Sequence, residues 1–130
     1  MQEPVWITKE MALAIHSRQL SEHGGMDGTR DEGLLESALA RAQNIFFYGD
    51  DRTNFPAMAA AYAYGIATNH PFIDGNKRTA LVAARLFLKL NDHNLQTSRE
   101  DKYDTIMKLA AGEISEEALA AWFAANTVKA

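Results

Sequence analysis

The sequence contains no cysteine, so disulfide bonds and thiolate chemistry are excluded. It has no apolar run long enough to span a bilayer, and no membrane association is expected. No charged-then-apolar leader opens it, and the expected location is cytoplasmic. With a formal net charge of −4 and no basic stripe, direct nucleic-acid binding is not expected. The phosphate loop G-x-x-x-x-G-K-S/T and the protein-kinase glycine loop are both missing, so a nucleotide site would have to be of another type. His16, His23 and His93 stand in unrelated contexts, no His/Asp/Glu spacing suits zinc, and these histidines read as surface or packing residues. Internal repeats, low-complexity tracts and convincing alternating strands are absent.

What remains is a helical pattern. The 130 residues, 47% of them hydrophobic, suit one domain over 1–130 with a single core. Pro4 to Ile7 is extended in character and covers one edge of that core. Thr8 is an N-cap for a helix reaching about His23, with Met11, Leu13, Ala14, Ile15 and Leu20 as candidate core positions, ended by Gly24-Gly25. Asp31 caps a second helix, with Leu34, Leu35, Ala38, Leu39 and Ala42 at helical spacing. From Asn44 to Thr53 the pattern breaks. Ile45-Phe46-Phe47-Tyr48 before Gly49-Asp50-Asp51 reads as a loop whose aromatics lid the core. Asn54 and Pro56 open a third helix, and Ala57 to Ala67 is small nearly all round, as a closely approached central helix would be. Ala80 to Leu90 is the other central helix. Ser98 with Asp101 resembles a capping box for a fifth helix, and Ser115 starts a sixth with Leu119, Trp122 and Phe123 inward. The expected class is all-α: a compact six-helix bundle with a loop between its two central helices.

That loop, Asn69 to Leu81, concentrates the chemistry. Pro71 disfavours helix at His70, Gly75 permits a tight turn, and Asp74 is the expected N-cap of the next helix. The N-terminus of that helix carries free N–H groups and a partial positive charge, which makes it an anion site. Lys77 and Arg78 fall in its first turn, where the helix dipole alone favours acids; an anionic ligand would reconcile them.

His70-Pro71-Phe72-Ile73-Asp74-Gly75-Asn76-Lys77-Arg78-Thr79-Ala80 resembles the signature of the Fic/Doc superfamily. The Fic pattern, H-x-F-x-D/E-G-N-G-R-x-x-R, is met at His70, Phe72, Asp74, Gly75, Asn76 and Arg78. Lys77 stands in place of its glycine and Leu81 in place of its second arginine, both as in the Doc (death-on-curing) branch. Trp6-Ile7-Thr8, Arg30 to Leu39 and Ala110 to Ile114 also resemble that family, so the likeness covers nearly the whole chain.

The resemblance implies a toxin of a type II toxin–antitoxin pair that moves the γ-phosphate of ATP to a threonine of elongation factor Tu and stops translation. The alternatives are AMP transfer of the Fic kind and an idle domain that only binds its antitoxin. His70 would be the general base and Asp74 the Mg²⁺ ligand, one carboxylate sufficing beside phosphate oxygens. Gly75 and Asn76 would give backbone N–H groups to phosphate, with a further contact from the Asn76 amide. Arg78 would clamp phosphate bidentately. Lys77 either contacts phosphate or fills the space of the missing glycine, Thr79 is a further candidate phosphate donor, and Phe72 is a core anchor. Near the site, a segment from the Asn44–Thr53 stretch would pair with the target as a flap. Some Fic proteins carry an inhibitory helix, S/T-x-x-x-E-G/N. The only Glu before Gly or Asn is Glu32, with Gly28 four residues earlier, so control by a separate antitoxin is expected.

Overall fold

A computed structural model describes residues 1–49 and 53–130. Among the described residues it contains six helices: α1 (Lys9–His23), α2 (Glu32–Tyr48), α3 (Phe55–Asn69), α4 (Asn76–Leu90), α5 (Arg99–Ala110) and α6 (Glu116–Asn126). The all-α reading holds, and the chemistry-bearing loop does lie between α3 and α4. Most helix starts follow local chemistry. The side chains of Thr8, Asp31, Asn54, Ser98 and Ser115 each accept a backbone N–H from the first turn of their helix.

α3 forms the centre. Ala57 to Ala63 are all buried, and the helix packs against α2, α4 and α6. Its alanines let neighbouring backbones come close, which also explains Gly65. A Cβ on Gly65 would lie 2.8 Å from Cδ of Arg41 and 3.1 Å from Cα of Ala38, both on α2. α4 completes the core with Ala80, Ala83, Ala84, Phe87 and Leu88. The extended N-terminal segment lies over this edge as expected. Ile7 donates its N–H to the buried Tyr62 hydroxyl oxygen at 3.0 Å. The Asn91 side chain both accepts from Val5 N–H (2.8 Å) and donates to Val5 C=O (2.9 Å).

Four expectations need correction. In α1 the buried residues are Ala12, Ile15 and His16, while Leu13 and Ala14 face solvent. The apolar residues of α1 do not form one stripe, and its packing against α4 fixes the inward face. Ile45 to Tyr48 are not a loop but the last turn of α2: Ile45 is buried, Phe46 packs edge-on to Trp6, and Phe47 and Tyr48 are exposed. Asp50 and Asp51, part of the expected flap, lie outside the described residues. Trp122 is only half-buried, its indole N–H donating to Asp101. Ser98 does accept the Asp101 N–H at 3.0 Å, but the Asp101 carboxylate accepts from Thr97 and Trp122 rather than from the Ser98 N–H, so only half of the capping box forms. Finally, a short antiparallel ribbon joins β1 (His93–Leu95) to β2 (Thr127–Lys129), pairing Asn94 with Val128.

Candidate active site

The loop from His70 to Gly75 is fixed on two sides by segments distant in sequence. On one side it meets the connection between α1 and α2. Arg30 and Asp31 both donate backbone N–H to Pro71 C=O (2.7 and 3.0 Å), and Ile73 N–H donates to Gly28 C=O (3.0 Å). The Arg30 guanidinium donates to the carbonyls of His70 (2.7 Å) and Asn69 (2.8 Å), a cation placed on the negative end of α3. The Asn69 amide in turn donates to Leu34 C=O in α2. On the other side is α1. His16 is buried, its ring stacks on Phe72 with centroids 3.8 Å apart, and its Nε2 lies 2.8 Å from the Asp74 carbonyl oxygen. A carbonyl only accepts, so Nε2 carries the proton in this contact.

Within the loop, His70 is the C-cap of α3 in the left-handed conformation (φ 49, ψ 56), with its side chain exposed. Phe72 is fully buried, as its anchor role requires. The Asn76 side chain is buried as well, and both its ends serve Phe72: Oδ1 accepts Phe72 N–H at 3.0 Å and Nδ2 donates to Phe72 C=O at 2.9 Å. The Asn76 amide is therefore committed to the loop, and only its backbone N–H is left to face a ligand.

Asp74 is not the N-cap of α4, contrary to expectation. That position belongs to Gly75 (φ 80, ψ 15), and no side chain caps the helix. The Asp74 carboxylate is drawn aside. Its Oδ1 accepts the Gly75 N–H at 2.9 Å, so that amide, expected to face phosphate, is spent on Asp74 instead, and its Oδ2 accepts the Met26 N–H at 3.3 Å. Among the described residues, the first-turn amides of Asn76, Lys77 and Arg78 consequently have no protein acceptor. Lys77 and Arg78 are exposed and, among the described residues, form no salt bridge. Thr79 is fully buried and does not line the cleft, and its hydroxyl has no hydrogen-bond partner among the described residues.

These groups open onto a cleft of about 550 Å³. One wall is His70, Asp74, Gly75, Asn76, Lys77 and Arg78; the other is the α5 face of Tyr103, Ile106, Met107 and Ala110. His70 thus shares a cavity with the free amides and both cations. Leu81 packs against the core and brings no second arginine to this wall. A separate hollow of about 320 Å³, between Ile45, Ala57 and the alanine face of α6, carries Glu116 and Glu117 and no cation, so it does not suit phosphate.

Among the described residues no three His, Asp or Glu side chains are placed to hold a metal. One carboxylate at the edge of an anion site is nevertheless the arrangement magnesium uses when phosphate oxygens and water supply its other ligands. Each Asp74 oxygen accepts a single protein N–H, which leaves a lone pair free. The donor set therefore fits Mg²⁺ carried in with a nucleotide. Sequence reasoning missed Arg30 and His16 as parts of this site. The first lies inside the Arg30 to Leu39 segment already singled out, but nothing in the residues themselves marks the second.

A family model described as the Fic/DOC family matches residues 6–88. The chain is 36% identical over 114 residues to "Protein kinase doc" of Escherichia phage P1, covering 88% of this chain and 89% of that protein. It is 38% identical over 89 residues to "Toxin Doc" of Mycolicibacterium smegmatis, covering 68% of each.

Proposed function

This chain belongs to the Fic/DOC family, and we propose that it is the toxin of a type II toxin–antitoxin pair, transferring the γ-phosphate of ATP to a protein hydroxyl. The acceptor in this reading is a threonine of a translation factor such as elongation factor Tu, and the consequence is arrest of translation. The name of the phage relative, a protein kinase, supports the reaction class. That of the mycobacterial relative supports the toxin role and hence an antitoxin partner.

The observation that carries the reading is the uncapped start of α4, with Lys77 and Arg78 beside it and His70 lining the same cleft. The amides of Asn76, Lys77 and Arg78 hold the γ-phosphate, and Arg78 takes up the charge that develops on its oxygens. The acceptor oxygen attacks phosphorus as its proton passes to His70. The bond from phosphorus to the β–γ bridging oxygen breaks, and ADP leaves with that electron pair. Mg²⁺, held by Asp74, supplies neutralisation of charge on the phosphate oxygens when bound. Lys77 occupies the place where a glycine would let an α-phosphate approach the backbone, and Leu81 removes a second clamp for the triphosphate. Both favour γ-transfer over AMP transfer.

Parallel reactions of a translating cell extract with γ-labelled and α-labelled ATP test this. Label on protein from the γ-position alone is the expected result. Label from the α-position alone would establish AMP transfer instead. Label from neither, with nucleotide binding absent with and without Mg²⁺, would mean an idle antitoxin-binding domain.

A further inference from the structure

We infer that His16 is a positioning residue for the transfer reaction, acting through the Asp74–Gly75 peptide. This rests on the reading of Asp74 and the α4 amides as the phosphate-holding groups. The observations themselves concern α1. A buried histidine places a single N–H on the carbonyl of the carboxylate-bearing residue, at 2.8 Å, and stacks flat on the loop anchor Phe72, with 7° between the rings. Gly75, the next residue, is in the left-handed conformation, and a Cβ there would lie 3.6–3.7 Å from the His16 ring. The imidazole therefore contacts Phe72 and Asp74 together and faces the side of Gly75 where a side chain would project.

The geometry at Asp74 shows what this holds in place. The peptide carrying the Asp74 C=O also carries the Gly75 N–H, which binds Asp74 Oδ1. Rotation of that peptide would swing the carbonyl off His16, break the Gly75–Asp74 contact, and turn the first amides of α4. The carboxylate is steadied from the same quarter by the turn after α1. Met26 N–H reaches Oδ2, and Gly25 (φ 127) sits so close that a Cβ would lie 2.9 Å from Oδ2. α1 and its turn thus set both the carboxylate and the direction of the anion-binding amides, although neither supplies a group to the cleft lining. His16 works through its donor, and the ring stack alone does not replace it.

The test separates the donor from the stack. His16→Phe keeps an aromatic on Phe72 and loses the N–H. His16→Gln restores an N–H at comparable reach. His16→Asn has an amide that falls short, and serves as a second donor-deficient variant should the Phe protein fail to fold. Three quantities are read on folded protein: turnover, the Mg²⁺ concentration for half-maximal ATP binding, and the amide resonance of Gly75. The Phe and Asn variants should lose about 10–100-fold in turnover and need about 10–100-fold more Mg²⁺ for half-maximal ATP binding, the usual range for residues that orient a ligating group. Their Gly75 resonance should shift, and Gln should recover most of each loss. Wild-type values in a donor-deficient variant would overturn the proposal, as would a Gln variant no better than Phe and Asn. If wild-type protein transfers no phosphate at all, the kinase reading fails, while Mg²⁺-dependent binding and the Gly75 resonance still decide the role of His16.

Discussion

His70 holds a backbone conformation that an L-residue adopts only at a cost, as the C-cap that follows α3. Glycine or asparagine usually ends a helix this way. The cost is borne because the turn aims the imidazole into the cleft, and Arg30, donating to the His70 and Asn69 carbonyls, holds the turn closed. His70→Gly should therefore be at least as stable as wild type in urea unfolding, by up to roughly 1 kcal/mol, while transferring no phosphate; a folded, active Gly variant would refute the base assignment. Ala at Asp74 or at Arg78 should leave the melting temperature near wild type and lower turnover by about 10²–10⁴-fold. Asn76 behaves differently because its amide is spent on Phe72. Asn76→Ala leaves a buried N–H and C=O unpaired and should cost about 2–4 kcal/mol in equilibrium unfolding. Asn76→Ala with full stability and lost activity would instead point to an amide–phosphate contact. Lys77→Gly should weaken γ-transfer and open the backbone to an α-phosphate; if γ-transfer is unchanged, the steric account of Lys77 is wrong.

At the scale of elements, α3 explains why small residues matter more here than large ones. Alanine in place of glycine ordinarily strengthens a helix by about 1 kcal/mol. At Gly65 the added methyl would press on Ala38 Cα and Cβ at 3.1 Å and on Arg41 Cδ at 2.8 Å. The Ala38 backbone cannot yield without moving α2, so Gly65→Ala should destabilise by about 1–3 kcal/mol in urea unfolding. Tyr62, on the same helix, gives a pH signature. Burial pushes its phenol up to about 12, despite the hydrogen bond it accepts from Ile7. A tyrosine in the unfolded chain titrates near 10. The folded state therefore keeps the proton more tightly, and its contribution is complete below about pH 10 and lost as pH rises from about 10 towards 12, by roughly 2–3 kcal/mol. Tyr62→Phe, less stable at neutral pH because Ile7 N–H loses its acceptor, should lack this alkaline component; parallel slopes for the two proteins above pH 10 would contradict it.

The same elements show what a sequence can and cannot reveal. Thr8, Asp31, Asn54, Ser98 and Ser115 are legible because a cap acts on amides two or three residues away. The motif loop is legible because its chemistry falls within one short stretch. The last turn of α2 is not, since Phe46 stays helical while packing on Trp6 from the far N-terminus. The ribbon of β1 and β2 is not either, as three residues per strand give too short an alternation to see. His16 and Arg30 are illegible as site residues for a related reason: their partners stand 58 and 40 positions away. Asp74 misleads in the opposite way. It has the right residue type and position for a cap, but Met26, from the turn after α1, and Gly75 claim its oxygens.

For the whole molecule the question is what restrains a site of this kind. The cleft is bounded by the start of α4 and by α5, with Ile73, Tyr103 and Met107 exposed at its rim. The sequence has no S/T-x-x-x-E-G/N segment that could fold back over the anion site, since Glu32 lacks the hydroxyl residue four positions before it and begins α2 instead. Lys77 and Arg78 therefore present a positive wall in a protein whose net charge is −4. A separate inhibitor with an acidic or carbonyl-rich segment can take the place of phosphate on that wall, ordering as it binds. Expressed alone, the chain should arrest growth. Co-expression of a small antitoxin from the neighbouring gene should restore growth and weaken ATP binding by the purified pair. The two effects should be lost together when the antitoxin's docking segment is deleted. An intact, folded chain that is harmless at high expression without any partner would show that restraint lies within the chain itself, and this account of its control would fail.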